Sequence, residues 1–147
     1  MKRIATALVL GTGVVLTTAV IAADDPVANR QAIMKNTGAA MGVLGNMAKG
    51  EVEFDQTTAQ LAFRVINAGS MGYGELFPEG SEGGDSRAAE AIWSDMESFQ
   101  AIIVSLQGDT AAAIENPPDS VEALGPLVGA VGENCGECHE KFRIATN

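Results

Sequence analysis

The chain has 147 residues, with 19 Asp and Glu against 9 Lys and Arg, giving a net charge of −10. That length allows one domain with a real core. A chain so acidic excludes non-specific binding to nucleic acid or anionic membrane surfaces, and its single His and unpaired carboxylates leave no catalytic dyad in view.

Met1, Lys2 and Arg3 form a short basic start, Ile4 to Ala23 carries no charge, and Ala22 and Ala23 precede Asp24 and Asp25. This predicts a secretory signal, residues 1–23, removed from a mature domain, residues 24–147. About 20 uncharged residues are also long enough for a membrane anchor. Gly11, Gly13 and several Thr dilute the run, however, and its small-residue end favours cleavage without stable membrane insertion. Cleavage would leave seven basic residues against nineteen acidic ones, a net charge near −12. Such a surface keeps an exported protein soluble and attracts basic partners.

Asp24, Asp25 and Pro26 supply a helix start. From Val27 to Lys49, apolar residues recur at Ile33/Met34, Thr37, Ala40/Met41, Leu44 and Met47/Ala48, the spacing of an amphipathic helix, and Gly50 ends it. Gly38, Gly42 and Gly45 weaken this helix but permit close approach of another. Asp55 is a second N-cap. After it Ala59, Leu61/Ala62, Val65/Ile66 and Ala68/Gly69 repeat at helical spacing. Between Ser70 and Ser86 five glycines and Pro78 break the pattern, and Tyr73, Leu76 and Phe77 predict that this long connection packs down at intervals.

A third helix is predicted from about Ala88 to Glu115, with a stripe of Ile92, Met96, Phe99, Ile102/Ile103, Leu106 and Ala113, stopped by Asn116, Pro117 and Pro118. Asp119, with Glu122 three residues on, reads as the capping box of a fourth. The stripe of that helix is Val121, Leu124, Val128, Val131, Cys135, Cys138 and Phe142, and Pro126 inside it should bend it. Four helical patterns without strand alternation predict an all-α fold, an antiparallel four-helix bundle.

The only two Cys and the only His fall within five residues, as Cys135, Cys138 and His139. This is the C-x-x-C-H pattern of c-type haem attachment. On a helix, positions i, i+3 and i+4 share one face. Both sulfurs can therefore add to the vinyl groups of one porphyrin while the imidazole reaches the iron from the same side. Three other readings fit less well. A thioredoxin-like pair expects a strand–helix setting, a zinc site needs a second ligand pair, and a disulfide closing so short a loop would stabilise little. One covalent haem c would then lie near the C-terminal helix, in the bundle core.

A bundle with its only haem motif at the end of its last helix resembles the cytochrome c′ group, the class II c-type cytochromes. The resembling segments are Arg30-Gln31 with Met34, the loop from Glu82 to Arg87, Trp93-Ser94-Asp95, and Cys135-x-x-Cys138-His139 followed by Phe142-Arg143. The resemblance implies that His139 is the axial iron ligand, that Arg30 and Gln31 lie by the haem propionates, that Arg143 flanks the proximal side, and that the loop carrying Asp85 approaches the haem edge. It further implies attachment of haem in the periplasm, a homodimer formed through the first two helices, one-electron exchange with redox partner proteins, and binding of diatomic gases such as NO or CO. Met34 would face the distal side of the iron. As an apolar cover it would leave the iron five-coordinate and open to gases; as a sixth ligand it would make a low-spin electron carrier with His139. Met41 lies one heptad further, about 10 Å along the helix.

Overall fold

A computed structural model describes residues 25–83 and 85–145; the segment read as a secretory signal lies outside them. Helix α1 spans Pro26–Ala48, α2 Gln56–Ser70, α3 Ala91–Ser94, α4 Met96–Glu115 and α5 Val121–Phe142. Asp25 caps α1 by accepting from the amides of Val27 (2.9 Å) and Ala28 (3.3 Å), with Pro26 at the first helical position, where its missing N–H costs nothing. Asp55 caps α2 in the same way through the amide of Thr58 (2.7 Å).

The four long helices close a ring in which α1 packs on α2, α2 on α4, α4 on α5 and α5 on α1. Polar ties fix the antiparallel register of α2 and α4. Gln56 Nε2 donates to the carbonyl of Pro118 (2.9 Å), Asn67 Nδ2 to Thr110 Oγ1 (2.8 Å), and Gln107 Nε2 to the carbonyl of Ser70 (3.0 Å). Thr110 is fully buried, and its hydroxyl in turn donates to the carbonyl of Leu106 (2.7 Å), so the polar group is satisfied where it is shut from water.

The predicted stripes of α1, α4 and α5 are the inward faces, with Leu44, Phe99, Leu124 and Val131 essentially inaccessible. On α2 the inward set is Ala59, Ala62, Phe63 and Ile66, whereas Leu61 and Val65 lie outside. The core has two parts. One surrounds Leu44, Phe63, Ile66 and Leu124 at the end where α1 meets α2. The other gathers Tyr73, Phe77, Ile92, Phe99, Ile102, Ile103 and Phe142 at the opposite end.

Two expectations need correction. The third helix is not continuous from Ala88 to Glu115: Asp95 has an extended φ of −140°, ends the single turn of α3, and caps α4 through the amide of Ser98 (3.3 Å). Its second carboxylate oxygen binds Lys141 Nζ at 2.7 Å, which ties this break to α5. The cap of α5 is Ser120, not Asp119; its hydroxyl accepts from the amide of Ala123 (3.3 Å). Within the chain a Cβ at Gly38, Gly42 or Gly45 would have nothing within 4 Å, Gly38 lining the central cavity, and the close α1–α2 approach falls at Gly69. Helix α5 runs unbroken through Pro126, where only the carbonyl of Glu122 loses its intrahelical partner.

The connection from Met71 to Glu90 is folded down onto the bundle. A 3-10 turn, Tyr73–Leu76, follows Gly72, whose φ of +68° only glycine adopts without strain. Trp93 Nε1 holds the segment by donating to the carbonyls of Phe77 (3.1 Å) and Pro78 (3.3 Å). An isolated antiparallel bridge pairs Ala88 with Arg143, so the start of α3 and the end of α5 close on one another.

Candidate functional site

Between the four long helices lies a cavity of about 590 Å³, within the range of small-molecule and cofactor sites. The aromatic second half of the core forms much of its wall. Phe99 stacks edge-on against Phe77 (4.9 Å between centroids) and Phe142 (5.2 Å), and Phe77 against Tyr73 (5.3 Å). Edge-to-face packing of this kind makes a rigid apolar surface that excludes water.

Of the residues singled out from the sequence, Arg30, Gln31, Met34, Cys135, Cys138, His139 and Arg143 all line this one cavity. Helix α5 brings the two thiols and the imidazole to one side of it, and α1 presents Arg30 and Met34 one turn apart. Met41 lines the same cavity, so its depth takes in both methionines. Asp85 is placed differently. It is exposed and absent from the cavity wall; its backbone carbonyl accepts from Gln31 Nε2 at 3.1 Å, while the adjoining Ser86 and Arg87 reach the cavity.

Arg30 is 4% exposed, a low value for a guanidinium. It donates to the carbonyl of Ser81 (2.8 Å) and, at longer range, to the hydroxyls of Ser81 (3.3 Å) and Ser86 (3.5 Å), and it lies 4.5 Å from the centroid of the Phe77 ring. All of these partners are neutral. Burial lowers its pKa, while the charges of Tyr73, Asp25 and Glu82 pull it back up. Arginine keeps its charge in proteins, so a cation stands in the cavity wall without a carboxylate in contact. Arg87 and Arg143 line the same region, and Arg87 also donates from Nε and NH2 to the carbonyl of Ile144 (3.3 and 3.0 Å).

Burial raises the pKa of both thiols, and that of Cys138 is pushed up to about 11 with help from the charges of Cys135 and Glu137. They sit at the C-terminal end of α5, where the helix dipole also opposes a thiolate. A redox dithiol needs the opposite setting, a helix N-terminus that lowers the pKa, so the thioredoxin-like reading fails here. A zinc site would need ligands beyond these three, and the chain has no second cysteine pair or second His to give them. His139 is exposed at the edge of the cavity; partial desolvation, and then the positive charges of Arg143 and Arg87, lower its pKa and favour the neutral imidazole that binds metals.

The cavity thus combines a mostly apolar interior, cations along its wall, and two protonated thiols beside one neutral imidazole. These features fit a flat apolar macrocycle that carries carboxylates and a metal. A family profile described as Cytochrome C' matches residues 25–143. The chain belongs to the cytochrome c′ family. Membership makes it a c-type haem protein, and the bundle is the cytochrome c′ fold. A cytochrome c-556 from Agrobacterium tumefaciens (strain B2A) is 36% identical over 118 residues, 80% of this chain and 96% of the relative. A cytochrome c′ from Rhodopseudomonas palustris is 35% identical over 144 residues, 97% of this chain and 94% of the relative. The solved structure of cytochrome c′ from Rhodopseudomonas palustris superimposes with a TM-score of 0.80 at 33% identity, covering 85% of this chain and all of that one.

Tyr73, Phe77, Thr37, Ser70 and Asn134 also line the cavity, and no motif in the sequence marks them as site residues. Tyr73 and Phe77 lie in the glycine-rich connection, where periodicity gives no face. Their aromatic character in a polar stretch was the only available signal.

Proposed function

We propose that this cytochrome c′ is an exported, periplasmic haem protein that exchanges single electrons and binds diatomic gases such as NO or CO at an open iron position. Cys135 and Cys138 would hold one haem c through thioethers, the S–H of each having added across a vinyl group, and His139 would ligate its iron. Haem supplies the redox couple and the metal site; the chain's residues set the surroundings. Arg30 and Gln31 stand at the propionates, where a buried cation lacking a carboxylate finds its counter-charge. Arg143 flanks the imidazole, and the apolar wall from Ile92 to Phe142 keeps water from the macrocycle. Asp85 acts on the site only through the carbonyl that holds Gln31.

The observation that carries this reading is that the only two thiols and the only imidazole of the chain share one largely apolar cavity with Met34. No second imidazole exists to fill the sixth position, and Met34 is suited to cover it as an apolar, flexible side chain. With both thiols and the imidazole committed to haem, the chain is read as a carrier and gas-binding protein, not an enzyme. Export is supported by the uncharged stretch Ile4–Ala23; no helix among the described residues is long and apolar enough to cross a membrane. A homodimer is supported by a relative, 28% identical with a TM-score of 0.75, described as a cytochrome c′ with ligand-controlled dimer dissociation. The acidic surface favours basic redox partner proteins.

The test is expression with an intact haem-maturation system. The mass should equal the processed chain plus one haem, and the ferrous spectrum should change on addition of NO. Colourless protein would overturn the haem assignment. A far-red sulfur-to-iron charge-transfer band in the ferric state would replace open-site gas binding with a low-spin carrier ligated by His139 and Met34.

A further inference from the structure

The polar groups of the cavity wall divide into those that are spent and those that are not. Ser70 Oγ donates to the carbonyl of Asn67 at 2.6 Å. Asn134 uses its amide nitrogen on Asp109 Oδ2 (2.6 Å) and the carbonyl of Ala130 (3.0 Å). Arg30 is committed to Ser81, Ser86 and the Phe77 ring. Two hydroxyls remain. Thr37 is 8% exposed and Tyr73 9% exposed, both line the cavity, and neither side chain makes a hydrogen bond to another described residue. Neither oxygen is sealed in, since no shut-off side-chain oxygen or nitrogen among the described residues lacks a partner. Both residues line the cavity, with Thr37 Oγ1 at the α1–α2 contact beside Gly69.

A hydroxyl buried this deeply is normally paired, and an unpaired one marks a group waiting for water or a ligand. Thr37 lies one turn beyond Met34 on α1, and Tyr73 opens the 3-10 turn after α2 that packs on α1 and α4. Tyr73 is held protonated well above neutral pH by burial, so it is a donor under all ordinary conditions. In haem proteins the donors around the open side of the iron decide which small ligands are favoured.

We propose that the Thr37 and Tyr73 hydroxyls donate hydrogen bonds to a diatomic ligand held in this cavity, at the outer atom, where negative charge collects. The proposal rests on the gas-binding reading above and adds to it a polarity: the pocket favours ligands that accept hydrogen bonds over those that are merely apolar and small.

Carbon monoxide on the reduced, haem-loaded protein is the probe, read by its infrared C–O stretch, which falls when a donor polarises the outer oxygen. Thr37→Val and Tyr73→Phe keep volume and remove one hydroxyl each; each should move the band to higher frequency, and the double variant further. Thr37→Ser, which keeps a hydroxyl, should leave it in place. Transfer of the unaltered protein to D2O should also displace the band, a measurement that needs no variant to fold. A band that moves in neither variant overturns the proposal. One that moves in D2O alone assigns the donor to a trapped water and overturns it equally. If the reduced protein takes up no CO at all, the gas-binding reading has failed first and the proposal falls with it.

Discussion

Single residues carry most of what could be read from this sequence, because the chemistry of Cys135, Cys138 and His139 needs only a helix to bring them together. Arg30, Gln31, Met34 and Arg143 were legible through resemblance, and all four are cavity residues. Tyr73 was not, since its place depends on a connection folded back by Gly72 and pinned by Trp93. Its burial has a measurable consequence. As the only Tyr in the chain, it gives a tyrosinate absorbance that reports one site, with a pKa raised by burial to about 12. Raising an acid's pKa in the folded state means the folded chain holds its proton longer than the unfolded one. Stability is therefore full below the unfolded value of about 10 and falls as pH rises toward 12, by roughly 2–3 kcal/mol at most. Ultraviolet titration should show a single tyrosine ionising near 12. Urea midpoints should drop between pH 10 and 12 and hold steady in Tyr73→Phe. An ionisation near 10 in the folded protein would mean the ring is not shut in this wall.

At the scale of elements, periodicity located the four long helices, and capping chemistry placed the starts of α1 and α2 at Asp25 and Asp55. The break at Asp95 was hidden because an acidic residue in a helical stripe reads as surface; what makes it a cap is its position opposite Lys141, 46 residues away. The same limit applies to glycine. Gly38, Gly42 and Gly45 make no close contact within the chain, whereas Gly69 is the glycine at a contact, where a Cβ would come to 3.2 Å from both Ile33 Cγ2 and Thr37 Oγ1. Both neighbours are β-branched residues in a helix, with stiff χ1 angles, and cannot swing aside. Gly69→Ala should therefore destabilise the protein by about 1 kcal/mol, an overpacking cost of about 1–3 kcal/mol outweighing a propensity gain of up to about 1 kcal/mol. Gly129→Ala, on the outside of α5 with nothing within 4 Å, should stabilise by up to about 1 kcal/mol. Denaturant midpoints moving in opposite directions at constant m-value would bear this out; two shifts of the same sign would not.

For the whole molecule the open question is what covers its outward apolar residues. Val43 on α1 is 39% exposed, and Leu61 and Val65 on α2 are 58% and 45% exposed, the latter two one helical turn apart. Neighbouring helices that each leave large aliphatic groups in water fit the proposed contact between two copies better than a solvated face does. Val104 on α4, 64% exposed, is an internal control of the same chemistry on a different side of the ring. Burying the exposed part of one such side chain contributes on the order of 1 kcal/mol, close to tenfold in a dissociation constant. A charge introduced at a buried contact adds to the loss. Sedimentation velocity of the haem-loaded protein should show a dimer that Leu61→Glu and Val65→Glu each weaken at least about tenfold by this scale, while Val104→Glu leaves it unchanged. If Val104→Glu proves the disruptive change, the interface lies on α4 instead. A monomer at every concentration would leave Leu61 and Val65 as ordinary surface residues, for isolated apolar side chains in water need no partner.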